Sequence, residues 1–277
     1  MNIPPARPPE AILRLWLGQA VSVSGSGMTS FALGVHTYQQ TGSATFFALI
    51  TLFATLPGIL ISPLAGVVVD RFNRRTIMIL SDTGSALATL ALALLFWSDH
   101  LALWHIYLLV GINSFCGGFQ LPAAQAAITQ LVPKAFYGRA SGMIQMSRGM
   151  QFIVSPVLAG SLMGIIGLPG ILMVDLATFL FGISLLLGIH IPSLDRAQGA
   201  SGSSGWGTQI WDGVRYLAGR PGMVVLIGVI AVGNLMIGFL VVLVAPMILA
   251  FTTEKVLGIM NSLSALGMMV GSVLVSV

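Results

Sequence analysis

The chain has 277 residues, of which 56% are hydrophobic and 7% charged, with a formal net charge of +4. Soluble domains carry about 25% charged residues, so this composition leaves too little polar surface to cover a water-soluble core of this size. The basic residues fall between apolar segments instead of along one stripe, which reads as membrane topology and not as a nucleic-acid footprint.

A helix needs about 20 mostly apolar residues to cross the hydrocarbon core. The predicted elements begin after a short Pro-rich tail, MNIPPARPPEA, which lacks the cleavage site of a signal peptide. Spans are predicted over 12–37, 45–69, 75–97, 101–126, 141–165, 170–190, 222–250 and 256–277. Most contain Gly or Pro, which membrane helices tolerate. The strict alternation of a β-barrel is absent. The expected fold class is therefore an all-α polytopic membrane protein. Connections at 38–44, 98–100 and 166–169 are short, whereas 191–221 is long and contains QGASGSSGWG, a flexible composition. Trp206, Trp211, Arg215 and Tyr216 there suit either an inner-membrane surface or a solvated linker. The expected organisation is a tail at 1–11, a six-span half at 12–190, a linker at 191–221 and the start of a second half at 222–277.

The basic residues set the orientation. Arg7, Arg14, Arg71, Arg74, Arg75, Lys134, Arg139, Arg196, Arg215 and Arg220 all fall on one side if the spans alternate. That is 10 of the 12 Lys and Arg, with Arg148 inside span five and Lys255 on the opposite side. The positive-inside bias then puts the N-terminus in the cytoplasm of a multi-pass protein of the cell (inner) membrane. Cys116 is the sole cysteine, which excludes an intrachain disulfide and a cysteine metal cluster. No phosphate-binding G-x-x-x-x-G-K-[ST], no H-E-x-x-H and no G-x-S-x-G occurs. The reading is a protein with no cofactor and no metal that is not an enzyme.

Between spans two and three the chain reads Gly66-Val-Val-Val-Asp70-Arg71-Phe-Asn73-Arg74-Arg75. This resembles the signature loop of the major facilitator superfamily, G-x-x-x-D-R/K-x-G-R/K-R/K, departing at Asn73, where the family usually has Gly. Asn is one of the few residues that tolerates positive φ. Leu121 to Pro133 (LPAAQAAITQLVP) and Ala140-Ser141-Gly142 are similar to the span four-to-five region of family drug, macrolide and siderophore (enterobactin-type) exporters. Ser155-Pro156-Val-Leu-Ala159-Gly160 resembles the family's antiporter motif G-P-x-x-G-G at Pro156 and Gly160, with Ser155 and Ala159 in place of glycines. Small-residue helix packing explains that stretch equally well.

The resemblance implies a twelve-span fold in two related halves, so this chain is expected to be truncated C-terminally. Residues 42–66 and 252–276 match weakly at an offset of 210, as repeated halves would. The resemblance also implies roles in the signature loop. Gly66 lets another helix approach, Asp70 meets a helix N-terminus of the other half, and Arg71, Arg74 and Arg75 pair with it or anchor at headgroups.

Polar residues inside spans are functional candidates by default. In the family the first, fourth, seventh and tenth spans line the cavity. The cavity candidates are Gln19, Ser22 and Ser26 on one face of span one, Asn113 and Gln120 on one face of span four, and Asn234 in span seven. Asp82, Arg148 and Asp175 are intramembrane charges. Asp82 and Arg148 lie at equal depth, so an ion pair is expected between them, and Asp82 and Asp175 are the carboxylates available for proton coupling or for structural pairing. His36 is expected at the outer interface.

The function implied is secondary export of a small organic compound by alternating access, with protons as coupling ion, and the full-length protein as monomer in a lipid bilayer. The alternatives are an importer of a small metabolite within the same family and a non-transporting sensor or scaffold. A membrane-embedded enzyme is disfavoured by the missing catalytic motifs.

Overall fold

A computed structural model describes residues 10–189 and 215–276, with the backbone alone described at 241 and 268–276. Most of the predicted tail, the linker core with Trp206 and Trp211, and Arg7 and Arg196 lie outside the described residues. The elements are α1 (Glu10–Thr41), α2 (Ala44–Arg71), α3 (Arg74–Trp97), α4 (Leu103–Leu131), a 3₁₀ turn (Lys134–Phe136), α5 (Tyr137–Leu187), α6 (Pro221–Leu249) and α7 (Glu254–Ser276). No strand occurs among the described residues.

The local chemistry explains the boundaries. Gly42 takes φ +63, a left-handed conformation that suits glycine, and turns the chain from α1 into α2 within two residues. Asn73 separates α2 from α3, and its side chain accepts hydrogen bonds from the amides of Arg75 (3.0 Å) and Thr76 (3.4 Å). Its φ is −64, so the residue acts as an N-cap and does not take the positive φ that the resemblance suggested. Predicted spans five and six are the two arms of α5, folded back at Gly167 (φ 63, ψ −174) just before Pro169. That conformation is closed to L side chains, which is why one helical run of 51 residues serves as two rods.

Five helical segments are long and apolar enough to cross a membrane among the described residues: Ala44–Arg71, Arg74–Trp97, Leu103–Leu131, Lys134–Leu187 and Pro221–Leu249. α1 is not among them, because its middle carries Gln, Ser, Thr and Gly that face neighbouring helices instead of lipid. α6 is the opposite case. It is exposed from Pro221 to Leu240, presenting Val, Leu, Ile and Phe in every direction, and is buried only near its end at Ala245, Pro246 and Ile248.

α1 packs along both arms of α5, α2 packs on α4, α3 bridges α4 and α5, and α7 lies on the first arm of α5. Glycines permit the α1 crossing. A Cβ on Gly18 would sit 3.5 Å from Gly182 Cα, and one on Gly27 would sit 2.6 Å from Ser155 Oγ. The Trp16 indole donates to Met143 O (2.7 Å) and Ser155 Oγ to Ser24 O (2.8 Å), tying α1 to the first arm. One apolar cluster around Leu15, Met78, Ala127 and Leu186 fills one end of the bundle, and another around Leu33, Leu92, Ile171 and Leu172 fills the other.

The helix starts repeat along the chain. α2 begins at Ala44 and α7 at Glu254, and 254 − 44 = 210, the offset read from the sequence. α1 likewise precedes α2 as α6 precedes α7.

Candidate functional site

α1, α2, α3, α4 and both arms of α5 line a cavity of about 490 Å³. Its size suits a drug-sized ligand, for which pockets run from about 300 to 1,000 Å³. Five of the six predicted cavity residues line it: Gln19, Ser22 and Ser26 from α1, and Asn113 and Gln120 from α4. The sixth, Asn234, does not. It lies exposed on α6, and only the second-half reading of the sequence placed it with the others.

Asp82 and Arg148 also line the cavity, but the expected ion pair between them is absent: no Asp82–Arg148 contact falls within 4 Å. Asp82, 4% exposed, instead accepts a 2.9 Å hydrogen bond from Gln120 Nε2, while Arg148 projects as an exposed cation. Equal depth along two helices fixes the height of two side chains and not the direction in which they point.

Asp175 lies behind the cavity wall, fully buried where α1, α3 and the second arm of α5 meet. Its Oδ2 accepts from Thr29 Oγ1 (2.8 Å) and Thr89 Oγ1 (3.3 Å), and its Oδ1 accepts from Ser26 Oγ (3.3 Å). A Cβ on Gly25 would come within 2.9 Å of the same Oδ1. Thr29 and Thr89 were not singled out from sequence. The available signal was Ser22, Ser26 and Thr29 at i, i+4 and i+7, a hydroxyl stripe that marks one face of α1.

The signature-loop residues sit at the junction of α2 and α3. Asp70 and Arg71 are exposed at the end of α2, and Arg74 is buried at the start of α3. Arg75 does not pair with Asp70. Its Nε donates to Leu186 O (2.9 Å) and its guanidinium also bonds Leu187 O, so it satisfies the last carbonyls of α5. A Cβ on Gly66 would meet nothing within 4 Å, so the close helix approach expected there is not made by any described residue.

Pro156 and Gly160 sit where the first arm of α5 crosses α7. A Cβ on Gly160 would lie 2.6 Å from Glu254 O, and one on Gly258 would lie 3.0 Å from the Pro156 carbonyl carbon. Backbone meets backbone there because neither glycine has a side chain. His36 is half-buried near the far end of α1, with its ring edge-on to Phe96 at 5.9 Å. No group of three His, Cys, Asp or Glu able to hold a metal occurs among the described residues.

Comparison with known proteins places this geometry. The profile of the Major Facilitator Superfamily matches residues 15–277. Over 185 residues the chain is 31% identical to Macrolide efflux protein A of Streptococcus pyogenes, covering 66% of this chain and 46% of that one. It is 29% identical over 154 residues to the multidrug efflux pump Tap of Mycolicibacterium fortuitum, covering 52% and 36%. The chain thus spans about half the length, or less, of the curated relatives it matches. Among solved structures it is similar to a bacterial homologue of the human lysosomal transporter Spinster, captured inward-facing and unoccupied. The TM-score is 0.69 and the identity 16%, over 96% of this chain and 62% of that one.

Proposed function

This chain belongs to the Major Facilitator Superfamily, and from that premise we propose that it forms part of a secondary exporter of a small organic compound of the drug or macrolide class. The observation that carries the reading is the cavity of about 490 Å³ between α1, α2, α3, α4 and α5. Hydroxyl, amide and apolar groups dominate its wall, with Asp82 and Arg148 as its charges, which suits a largely apolar compound with few polar groups. Similarity to Macrolide efflux protein A and to Tap supports the direction and the substrate class.

In this proposal the chain is multi-pass in the cell membrane with the N-terminus cytoplasmic. Residues 12–190 form one transporter half, 191–221 join it to the start of the second, and access to the cavity alternates between the two membrane faces. Gln19, Ser22, Ser26, Asn113 and Gln120 contact the substrate. Asp70 and the arginines of the α2–α3 junction stabilise one access state, and proton entry drives export. Pro156 and Gly160 support the reading by bringing α5 against α7 at backbone distance, the kind of contact along which one half can rock on the other.

The test is flux of a radiolabelled macrolide in proteoliposomes holding the full-length protein under an imposed pH gradient. Export driven by the gradient is the expected result. Accumulation in the opposite direction would establish an importer, and binding with no flux would establish a sensor.

A further inference from the structure

Around Asp82 the polar accounting does not close. Gln120 Nε2 donates to Asp82 Oδ1 at 2.9 Å. The other oxygen of each partner, Asp82 Oδ2 and Gln120 Oε1, is sealed from solvent and lacks a hydrogen-bond partner. Both are acceptors, so neither can satisfy the other. Leaving two buried acceptors bare costs about 1–3 kcal/mol each, and buried polar groups are rarely left so.

One proton resolves both. A carboxylic acid and a primary amide make a cyclic pair in which the amide N–H donates to one acid oxygen and the acid O–H donates to the amide oxygen. The first of these bonds is present, and the two unpartnered atoms are the donor position and the acceptor of the second. We propose that Asp82 is held as the neutral acid, its proton on Oδ2 shared with Gln120 Oε1, and that this acid–amide pair is the proton-carrying site of the transporter.

The surroundings agree. α4 presents Gln120 and Cys116, and the Cys116 thiol packs against Gly84. The first arm of α5 presents Arg148, which with Asp82 makes up the charged lining of the cavity. α1 presents no acid or base to the cavity, but it supplies Gln19, 6% exposed, whose Nε2 is a buried donor without a partner. α2 lines the cavity with neutral residues. When the pair opens toward the cavity that Asp82 lines, the Oδ2–H bond breaks and its proton passes to cavity water, leaving two acceptors that cannot bond each other. Loss of one proton thereby loosens the tie between α3 and α4.

The proton on Asp82 rests on the Gln120 hydrogen bond and the two unpartnered oxygens, whereas its use in transport rests on the proton-coupled reading above. The test is infrared spectroscopy of the full-length protein in bilayers at neutral pH, reading the C=O stretch of protonated carboxylic acids and its shift in deuterium oxide. Asp82→Asn should abolish one such band. Gln120→Leu, which leaves Asp82 in place but takes away its partner, should move that band to higher frequency. Asp175→Asn should leave it unchanged. An Asp82→Asn spectrum identical to wild type, or a band unmoved by Gln120→Leu, overturns the proposal. The spectrum needs no substrate. A band behaving as expected in a protein that shows no macrolide flux therefore supports the pair and refutes the exporter. Proton-driven flux in a protein without the band does the reverse.

Discussion

Asp82 and Asp175 look alike in the sequence: single carboxylates inside apolar helices, each nearly sealed from solvent at 4% and 0% exposure. Their surroundings differ in kind. Asp175 lies within hydrogen-bond reach of three hydroxyls from two other helices, with at least one on each oxygen, Ser26 sharing its proton with Ser22 O. Asp82 receives one amide and leaves an oxygen bare beside a cavity. A carboxylate with partners on both oxygens ties helices together, and one that waits for a proton can change state. Burial alone does not separate these roles, but counting donors does.

The largest expected effect comes from breaking the complete site. Asp175→Leu strands the hydroxyls of Ser26, Thr29 and Thr89 in the core, with a loss of roughly 3–5 kcal/mol. Equilibrium unfolding in mixed micelles should show it as a lower denaturant midpoint. A loss below about 1 kcal/mol would mean that Asp175 is not the joint between α1, α3 and α5. Next in size is Gly160→Val, which drives a side chain into the α7 backbone where a Cβ already sits 2.6 Å from Glu254 O. Overpacking of this kind costs roughly 1–3 kcal/mol, and the same unfolding measurement checks it.

The incomplete site should respond in the opposite way. Asp82→Asn reproduces the shape and hydrogen bonds of the neutral acid, so its stability should lie within about 1 kcal/mol of wild type. Export of a labelled macrolide should lose its dependence on the pH gradient in the same variant. The comparison collapses if Asp82→Asn destabilises as much as Asp175→Leu, because both carboxylates would then be structural.

Much of the fold was legible because hydropathy is a one-dimensional signal. The span boundaries agree with the helices to within a few residues, and the offset of 210 between 42–66 and 252–276 recurs as the starts of α2 and α7. Helical periodicity brought Gln19, Ser22 and Ser26 to one wall and Asn113 with Gln120 to another, since side-chain direction within a helix follows from spacing. What spacing cannot give is the rotation of one helix about its axis relative to the next. The Asp82–Arg148 pair was expected on depth alone and is replaced by Asp82–Gln120. The Asp175 cluster joins residues 86 to 149 positions apart, with no local pattern to announce it.

Asn73 supplies the smallest effect and the sharpest contrast with the buried sites. It is an exposed residue whose side chain is fully used, accepting from two amides at the start of α3. Asn73→Ala should cost about 1 kcal/mol, the ordinary worth of an N-cap. Asn73→Gly separates two accounts of the position. If the junction required positive φ, as the family's usual glycine suggests, Gly would match or improve on Asn. At the observed φ of −64, Gly gains no backbone relief and loses the cap, so the variant should fall between Asn and Ala, a few tenths of a kcal/mol below wild type. Thermal unfolding of the three side by side decides it. The ranking Asn, Gly, Ala marks a capping site, and Gly at or above Asn marks a turn that merely tolerates asparagine.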